Sequence, residues 1–273
     1  MIIDCHTHVN WQDHSADDAV RHMDELGVDR AWVLSWESQD AALGPGPYQY
    51  LSPEDCIQAH ERHPDRLIPF CGVDPRREHA ERTLREFVDR GCRGYGEIKV
   101  RLMLDHWDLI RMYEVCGELG LPVLVHIDVP LPGTGMWYGG DIDALERAAV
   151  RCPQTNFIGH GPGFWREISG TANRSKKAYP GTRVQPGGKV QKLLANHKNV
   201  YADLSANSGL NALKRDVDHA RKFLTRFRKK VLYGTDIYWS EHLDFLRGLG
   251  LERAVLADIL GRSAAKLTRA TGG

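Results

Sequence analysis

The stretch IIDCHTHV, residues 2–9, is an apolar run that ends in His6-Thr7-His8. It reads as a β-strand running into a loop. Neighbouring strand residues point to opposite faces, so histidines two apart project the same way. Two imidazoles side by side at a strand end can share one divalent metal, which a lone histidine holds poorly. Two ordinary polar residues at a strand end would look the same in isolation. The rest of the chain decides between these readings.

Outward from residues 2–5, the same kind of β-rich run recurs at 30–36, 67–73, 94–100, 122–126, 156–160, 200–204 and 231–236. Between these runs lie stretches such as ADDAVRHMDELG, EHAERTLREFVDRG, WDLIRMYEVCGELG and VQKLLANH, whose apolar residues recur at three and four. Gly27, Gly91 and Gly120 close three of these helical patterns, as a left-handed terminal residue requires. Strand–helix units repeating at intervals of about 30 residues imply parallel strands joined by crossover helices. Eight such units predict a closed (β/α)₈ TIM barrel, an α/β fold, in a single domain over residues 1–273. No linker or break in composition divides the chain.

Composition narrows the function. The chain has 273 residues, 42% of them hydrophobic, enough for one sizeable core. Its 36 basic and 36 acidic side chains cancel, which argues against nucleic acid or an anionic membrane surface as the main partner. No run approaches the ~18 apolar residues of a membrane span. A strand that begins at once leaves no room for a signal peptide, and the six cysteines show neither metal-knuckle spacing nor scaffold density. The expectation is a cytoplasmic protein acting on a small molecule. Its oligomeric state is open, with a homodimer admissible.

Two connections are long. Residues 37–52 carry GPGPYQY, and residues 161–188 run GPGFWREISGTANRSKKAYPGTRVQPGG. Both follow strands and so belong to the C-terminal face of a barrel, where active sites are built. The second is expected to be a lid, since loops of that length in a compact domain are commonly functional.

The ionisable residues at strand ends form one set. Strand one ends at His6 and His8, and strand four carries Glu97 with Lys99 on the same face. Strand five ends at His126, strand six at His160 and strand eight at Asp236. Each alone is most simply a hydrogen-bonded structural residue. In a parallel barrel, however, all of them converge on one mouth.

On these residues the chain resembles the amidohydrolase superfamily, and within it the branch of aminocarboxymuconate-semialdehyde decarboxylase-like proteins. The resemblance runs through IDCHTHV, VLVHIDV, IGHGPGFW, NVYADLSA and YGTDIYW, and so spans the chain. It implies that His6, His8, His126 and Asp236 bind metal. It also implies that His160 either binds a second metal or orients substrate and water. On strand four, GYGEIKV offers a carboxylate and a lysine two residues apart. Glu97 is the expected ligand because it needs no modification. Lys99 is left as a carbamylated ligand, a seat for a substrate anion, or the partner of Glu97 in a plain ion pair.

Imidazoles and carboxylates without thiolates suit Zn²⁺ first, or Mn²⁺ or Fe²⁺, as one or two ions. Such an ion acidifies water and polarises a carbonyl, and Asp236 can move the proton as general base. The expected activity is hydrolysis of an amide, ester or lactone of a small acidic molecule. Non-oxidative decarboxylation is the alternative, and a barrel that keeps the fold without chemistry is the rival from another class. Arg166, Arg174, Lys176, Lys177 and Arg183 in the long loop favour an anionic substrate, although a solvated basic loop is the commoner explanation. Arg76 and Arg101 can each clamp a carboxylate. Trp137, Trp165 and Trp239 fall where they can wall a substrate pocket, and equally where they can pack a lid. His242 is a candidate at one remove from the metal.

Overall fold

A computed structural model describes residues 1–37, 50–129, 138–172, 177–236, 238 and 240–269. Its strands are β1 (Ile3–Thr7), β2 (Arg30–Leu34), β3 (Leu67–Phe70), β4 (Tyr95–Ile98), β5 (Val123–His126), β6 (Phe157–His160), β7 (Val200–Asp203) and β8 (Val231–Leu232). Every ladder between them is parallel. The ladders run β1-β2-β3 and β4 through β8 in order. A parallel bridge from Phe70 to Gly94 joins the two groups. Cys5 N donating to Tyr233 O at 2.9 Å and Asp236 N to His6 O at 2.7 Å close the ring between its last strand and its first. The protein is a (β/α)₈ barrel.

Alternation along the strands sorts the core into two layers. Ile3, Trp32, Leu34, Ile68, Phe70, Leu124, Ile158 and Leu232 fill the barrel. Their neighbours Ala31, Val33, Leu67, Val123, Val125, Phe157, Val200 and Val231 pack outward against the helices. Leu124 and Ile158 therefore set the phase that turns His126 and His160 inward, two residues on.

The helices follow the amphipathic patterns. They are α1 (Ala16–Leu26), α2 (Pro53–Arg62), α3 (Ala80–Asp89), α4 (Trp107–Leu119), α5 (Ile142–Arg151), α6 (Pro162–Arg166), α7 (Lys189–Asn196), α8 (Ala206–Lys214), α9 (Val217–Arg226) and α10 (Glu241–Gly248). Ser15 opens α1 with a reciprocal capping box to Asp18, and Gly27 closes it in the left-handed region at φ 68°. A further helical run over 253–267 packs beneath β1 and β8. Among the described residues, no helix is long and apolar enough to cross a membrane.

The long segment after β6 is anchored. Phe164, Trp165, Ile168, Ala172 and Val184 are buried, and Gly170 N donates to Gln185 O at 3.0 Å. Its first part is the docked helix α6 rather than an open loop. Arg174 and Lys176 lie outside the described residues, as do Trp137, Trp239 and most of the 37–52 connection.

Candidate metal centre at the barrel mouth

Strand one does not alternate strictly where it matters. Its pairing with β2 slips between Asp4 and Thr7. Cys5 faces the interior, and His6 follows it there immediately: the Cys5 thiol lies 3.4 Å and the His6 imidazole 2.7 Å from the same residue, Asp203. Strand four has its own slip, between Tyr95 and Ile98. Gly96 stands there at φ 151°, where a Cβ would come within 2.7 Å of Leu124 O. Only glycine lets β4 lie so close to β5 and turn Glu97 into the barrel.

The sequence-expected ligands meet. His6 Nε2 and His8 Nε2 are 3.1 Å apart, and Asp236 Oδ1 lies 3.1 Å from His8 Nε2 and 3.6 Å from His6 Nε2. Glu97 Oε2 lies 3.6 Å from His6 Nε2 and 3.7 Å from His8 Nε2. Its other oxygen, Oε1, lies 2.7 Å from His126 Nδ1 and 3.7 Å from His160 Nε2. Glu97 therefore stands between two groups of donors, His6 with His8 and His126 with His160. Asp236 itself sits in the left-handed region at φ 66°, a strained place for a residue with a side chain.

These donors fit a divalent metal. His8 Nδ1 is 2.7 Å from the carbonyl of Leu34, which can only accept, so the ring proton is on Nδ1 and Nε2 carries a lone pair. His6 Nδ1 is likewise committed to Asp203. The two Nε2 atoms thus face each other with no partner outside the cluster, and carboxylate oxygens surround them. Ligands of one tetrahedral ion at ~2.1 Å bonds stand ~3.4 Å from each other, and the edges above run from 3.1 to 3.7 Å. Glu97 Oε2, fully buried, has the Lys99 ammonium at 2.7 Å besides these histidines.

Electrostatics point the same way. Burial raises the Asp236 carboxyl, but His6, His8 and His160 outweigh it and hold the group well below the usual range. Burial likewise opposes ionisation of Glu97, and Lys99, His6 and His126 prevail. His6 is pulled up against its own burial by Asp236, Glu97 and Asp203, whereas burial leaves His8 lowered. His126 has a carboxylate at each ring nitrogen, with Asp128 Oδ1 3.0 Å from Nε2, and against burial these carry it up to about 8. The carboxylates of the chamber are ionised, balanced by Lys99 and by the histidines.

Lys99 Nζ lies 2.7 Å from Glu97 Oε2 and 4.1 Å from the centre of the Trp36 ring. The expected ion pair is present, and Glu97 rather than Lys99 is central to both donor groups. Arg101 packs over Tyr138 at 6.0 Å. Arg76 forms a fork on buried Asp74, with contacts of 2.9 and 2.7 Å. Trp165 corrects its expected role as a pocket wall. It is buried at 1% exposure, and its indole donates to Asp203 O at 2.7 Å, bracing β7 from behind. His242 is buried and bonds Ala206 O at 2.8 Å, one residue from Ser205.

Sequence reasoning passed over Asp203, Ser205 and Asp128. Asp203 and Ser205 stood in the quoted NVYADLSA and Asp128 in VLVHIDV; Asp203 is two residues from Tyr201, on the barrel face of β7 opposite Val200 and Ala202. That phase was the available signal. Tyr179, in the long segment, lies near enough for Asp128 and Asp236 to help burial raise its phenol. A cavity of about 540 Å³ adjoins Asp128. Its lining sets Asp128, Asp141, Asp143 and Glu167 against Arg166 and Lys189, so it is no seat for an anion.

The amidohydrolase family model matches residues 3–269. A search of curated proteins finds no significant match. Among solved structures, the chain is similar to a candidate 2-pyrone-4,6-dicarboxylic acid hydrolase from Pseudomonas putida, at 18% identity and TM-score 0.67 over 100% of this chain and 98% of that one. It is similar to 5-carboxyvanillate decarboxylase from Sphingomonas paucimobilis, at 14% identity and TM-score 0.62 over 99% of each chain. A third is a dihydroxybenzoic acid decarboxylase from a Polaromonas species with bound manganese and 2-nitroresorcinol, at 16% identity and TM-score 0.61 over 100% of this chain and 98% of that one.

Proposed function

The chain belongs to the amidohydrolase family, and from that premise we propose that it is a metal-dependent hydrolase of an ester, lactone or amide of a small organic acid. The observation that carries this reading is the buried His6–His8 pair, whose Nε2 atoms face each other 3.1 Å apart beside Asp236 and Glu97. Zinc is the first choice of metal, then manganese or iron, bound by His6, His8, Glu97 and Asp236, with His126 and His160 completing a second position across Glu97. When bound, the ion supplies the positive charge that acidifies water and polarises a carbonyl.

The protein's own groups do the rest. Asp236 has one oxygen committed to the ligand cluster and the other 3.8 Å from His160 Nε2. It takes a proton from the attacking water and returns it to the leaving group. His160 orients that water by accepting from it. Lys99 and Arg101 receive a substrate carboxylate, the first as a point charge and the second through its planar fork. Residues 177–183, with Tyr179 at the mouth, are the closing side of the lid.

Decarboxylation is the second reading, favoured by one observation. Two decarboxylases match this fold at TM-scores close to that of the hydrolase candidate. A panel of cyclic and open-chain esters of dicarboxylic acids, together with hydroxybenzoic acids, separates the two. Metal-loaded protein is assayed in ¹⁸O-water against chelator-treated protein. Product carrying one ¹⁸O atom supports hydrolysis, whereas carbon dioxide release without ¹⁸O uptake replaces it with the lyase. No metal-dependent turnover of either kind would overturn the proposal.

A further inference from the structure

We propose that Asp203, at the end of β7, is a positioning residue that fixes two histidines of the centre at once, His6 and His160, with both Nε2 lone pairs aimed into the chamber. This rests on the reading of the mouth as a metal centre. Asp203 Oδ2 lies 2.7 Å from His6 Nδ1 and 2.9 Å from His160 Nδ1, and it accepts the Ser205 hydroxyl at 2.7 Å. Oδ1 accepts the Ser205 backbone N–H at 2.8 Å and the Cys5 thiol at 3.4 Å. Asp203 is fully buried.

An ionised carboxylate only accepts. The Ser205 N–H and hydroxyl both donate to it, so both oxygens serve as acceptors. Each neutral imidazole has one ring proton, and Asp203 draws it to Nδ1 in both rings. His6 Nε2 is thereby bare toward His8 and Glu97, at 3.1 and 3.6 Å. His160 Nε2 is bare toward Glu97 and Asp236, at 3.7 and 3.8 Å. His160 enters the chamber as a ligand or proton acceptor, and as a neutral ring it does not donate there. Orienting partners of this kind set the tautomer of a metal-binding histidine.

Ser205 takes its direction from Asp203. Its one hydroxyl proton goes to Oδ2 at 2.7 Å, which leaves its oxygen to accept beside His6 Nδ1 at 3.2 Å and His160 Nδ1 at 3.0 Å; without that acceptor the hydroxyl can turn and donate instead. Asp203→Asn is the informative change. The Ser205 N–H requires an oxygen at Oδ1, so the amide NH₂ takes the place of Oδ2 and points donors at both Nδ1 atoms. Both rings then move their proton to Nε2, and the lone pairs leave the chamber.

The test compares wild type, Asp203→Asn and Ser205→Ala. Zinc affinity is measured by competition with a chromophoric chelator, and the ring nitrogens by ¹⁵N NMR of histidine-labelled protein. Asp203→Asn should weaken zinc binding by ~10- to 100-fold and shift His160 from the Nδ1–H to the Nε2–H form. Ser205→Ala should keep His160 in the Nδ1–H form. Unchanged zinc affinity and an unchanged His160 tautomer in Asp203→Asn would overturn the proposal. Should that variant not fold, a switch of tautomer in Ser205→Ala would overturn it and retention would uphold it. A wild type that binds no zinc, manganese or iron defeats the metal-centre reading instead, while the His160 spectra still judge Asp203.

Discussion

Asp236 carries the largest chemical demand of any single residue. It lies 3.1 Å from one ligand histidine, ionised against its burial, with a second oxygen near His160. Asparagine keeps its shape and one oxygen but accepts no proton at neutral pH. Asp236→Asn should therefore lower kcat by ~10² to 10⁴, the usual contribution of a positioned general base, with KM changing far less. Metal content is measured in the same samples, because loss of the ion would imitate loss of the base. Near-normal turnover with normal metal would remove Asp236 from the proton path. The ligand pair is tested separately: His6→Ala with His8→Ala should abolish most metal binding while the barrel's circular dichroism is retained. Full occupancy in that double variant would disprove strand one as the ligand source.

At the scale of elements, the site depends on close approaches that side-chain chemistry alone does not announce. The ladder of β8 stops at Leu232, and Gly234 then passes so near β7 that a Cβ would meet Asp203 Oδ1 at 2.8 Å and Ser205 Cβ at 3.0 Å. Gly234→Ala should cost about 1–3 kcal/mol, as overpacking of a filled interior does, and should also weaken metal binding through Asp203. Gly181→Ala, where nothing lies within 4 Å, is the control and should do neither. Equal thermal melts for the two variants would show that β7 and β8 have room to part. The same elements show what the chain made legible. The recurrence of β-rich runs placed all eight strands, and their parallel order brought His126 and His160 to one mouth. It did not foresee the slips in β1 and β4, because a register shift depends on partner strands rather than on a strand's own pattern. It overran β8, 231–236 against Val231–Leu232, for the same reason: Thr235 N and Oγ1 leave the ladder to donate to Asp4 at 3.0 and 2.6 Å. The Asp203 network was hidden because hydrogen bonds spanning some 200 residues leave no local spacing to read.

For the whole molecule, the centre acts as a clasp. His6 and His8 come from the first strand and its end, Glu97 from the fourth and Asp236 from beyond the eighth, so an ion bound as proposed would tie together the two ends that close the ring. An ion that binds only the folded barrel stabilises it by mass action, by about 4 kcal/mol at a thousand times its dissociation constant. In a domain of this size each kcal/mol moves Tm by roughly 2–4 °C, so stripping the metal should lower Tm by on the order of 10 °C. That gap should depend on pH. In metal-free protein His6 is held above its ordinary value by carboxylates, and His126 is carried up to about 8. Both are protonated below the unfolded histidine value, where their stabilisation is fully present, and it is lost as pH rises through the folded values. Protons thus stand in for the metal at low pH and compete with it. Between about pH 6 and about pH 8.5, spanning the ordinary histidine value, the metal-free melt should fall while the metal-loaded melt holds, so the gap widens. Melting curves with and without chelator at the two ends of that range measure it. A gap that is constant or narrows with rising pH would mean that protons and metal do not share these nitrogens, and the centre would have to be sought elsewhere in the barrel.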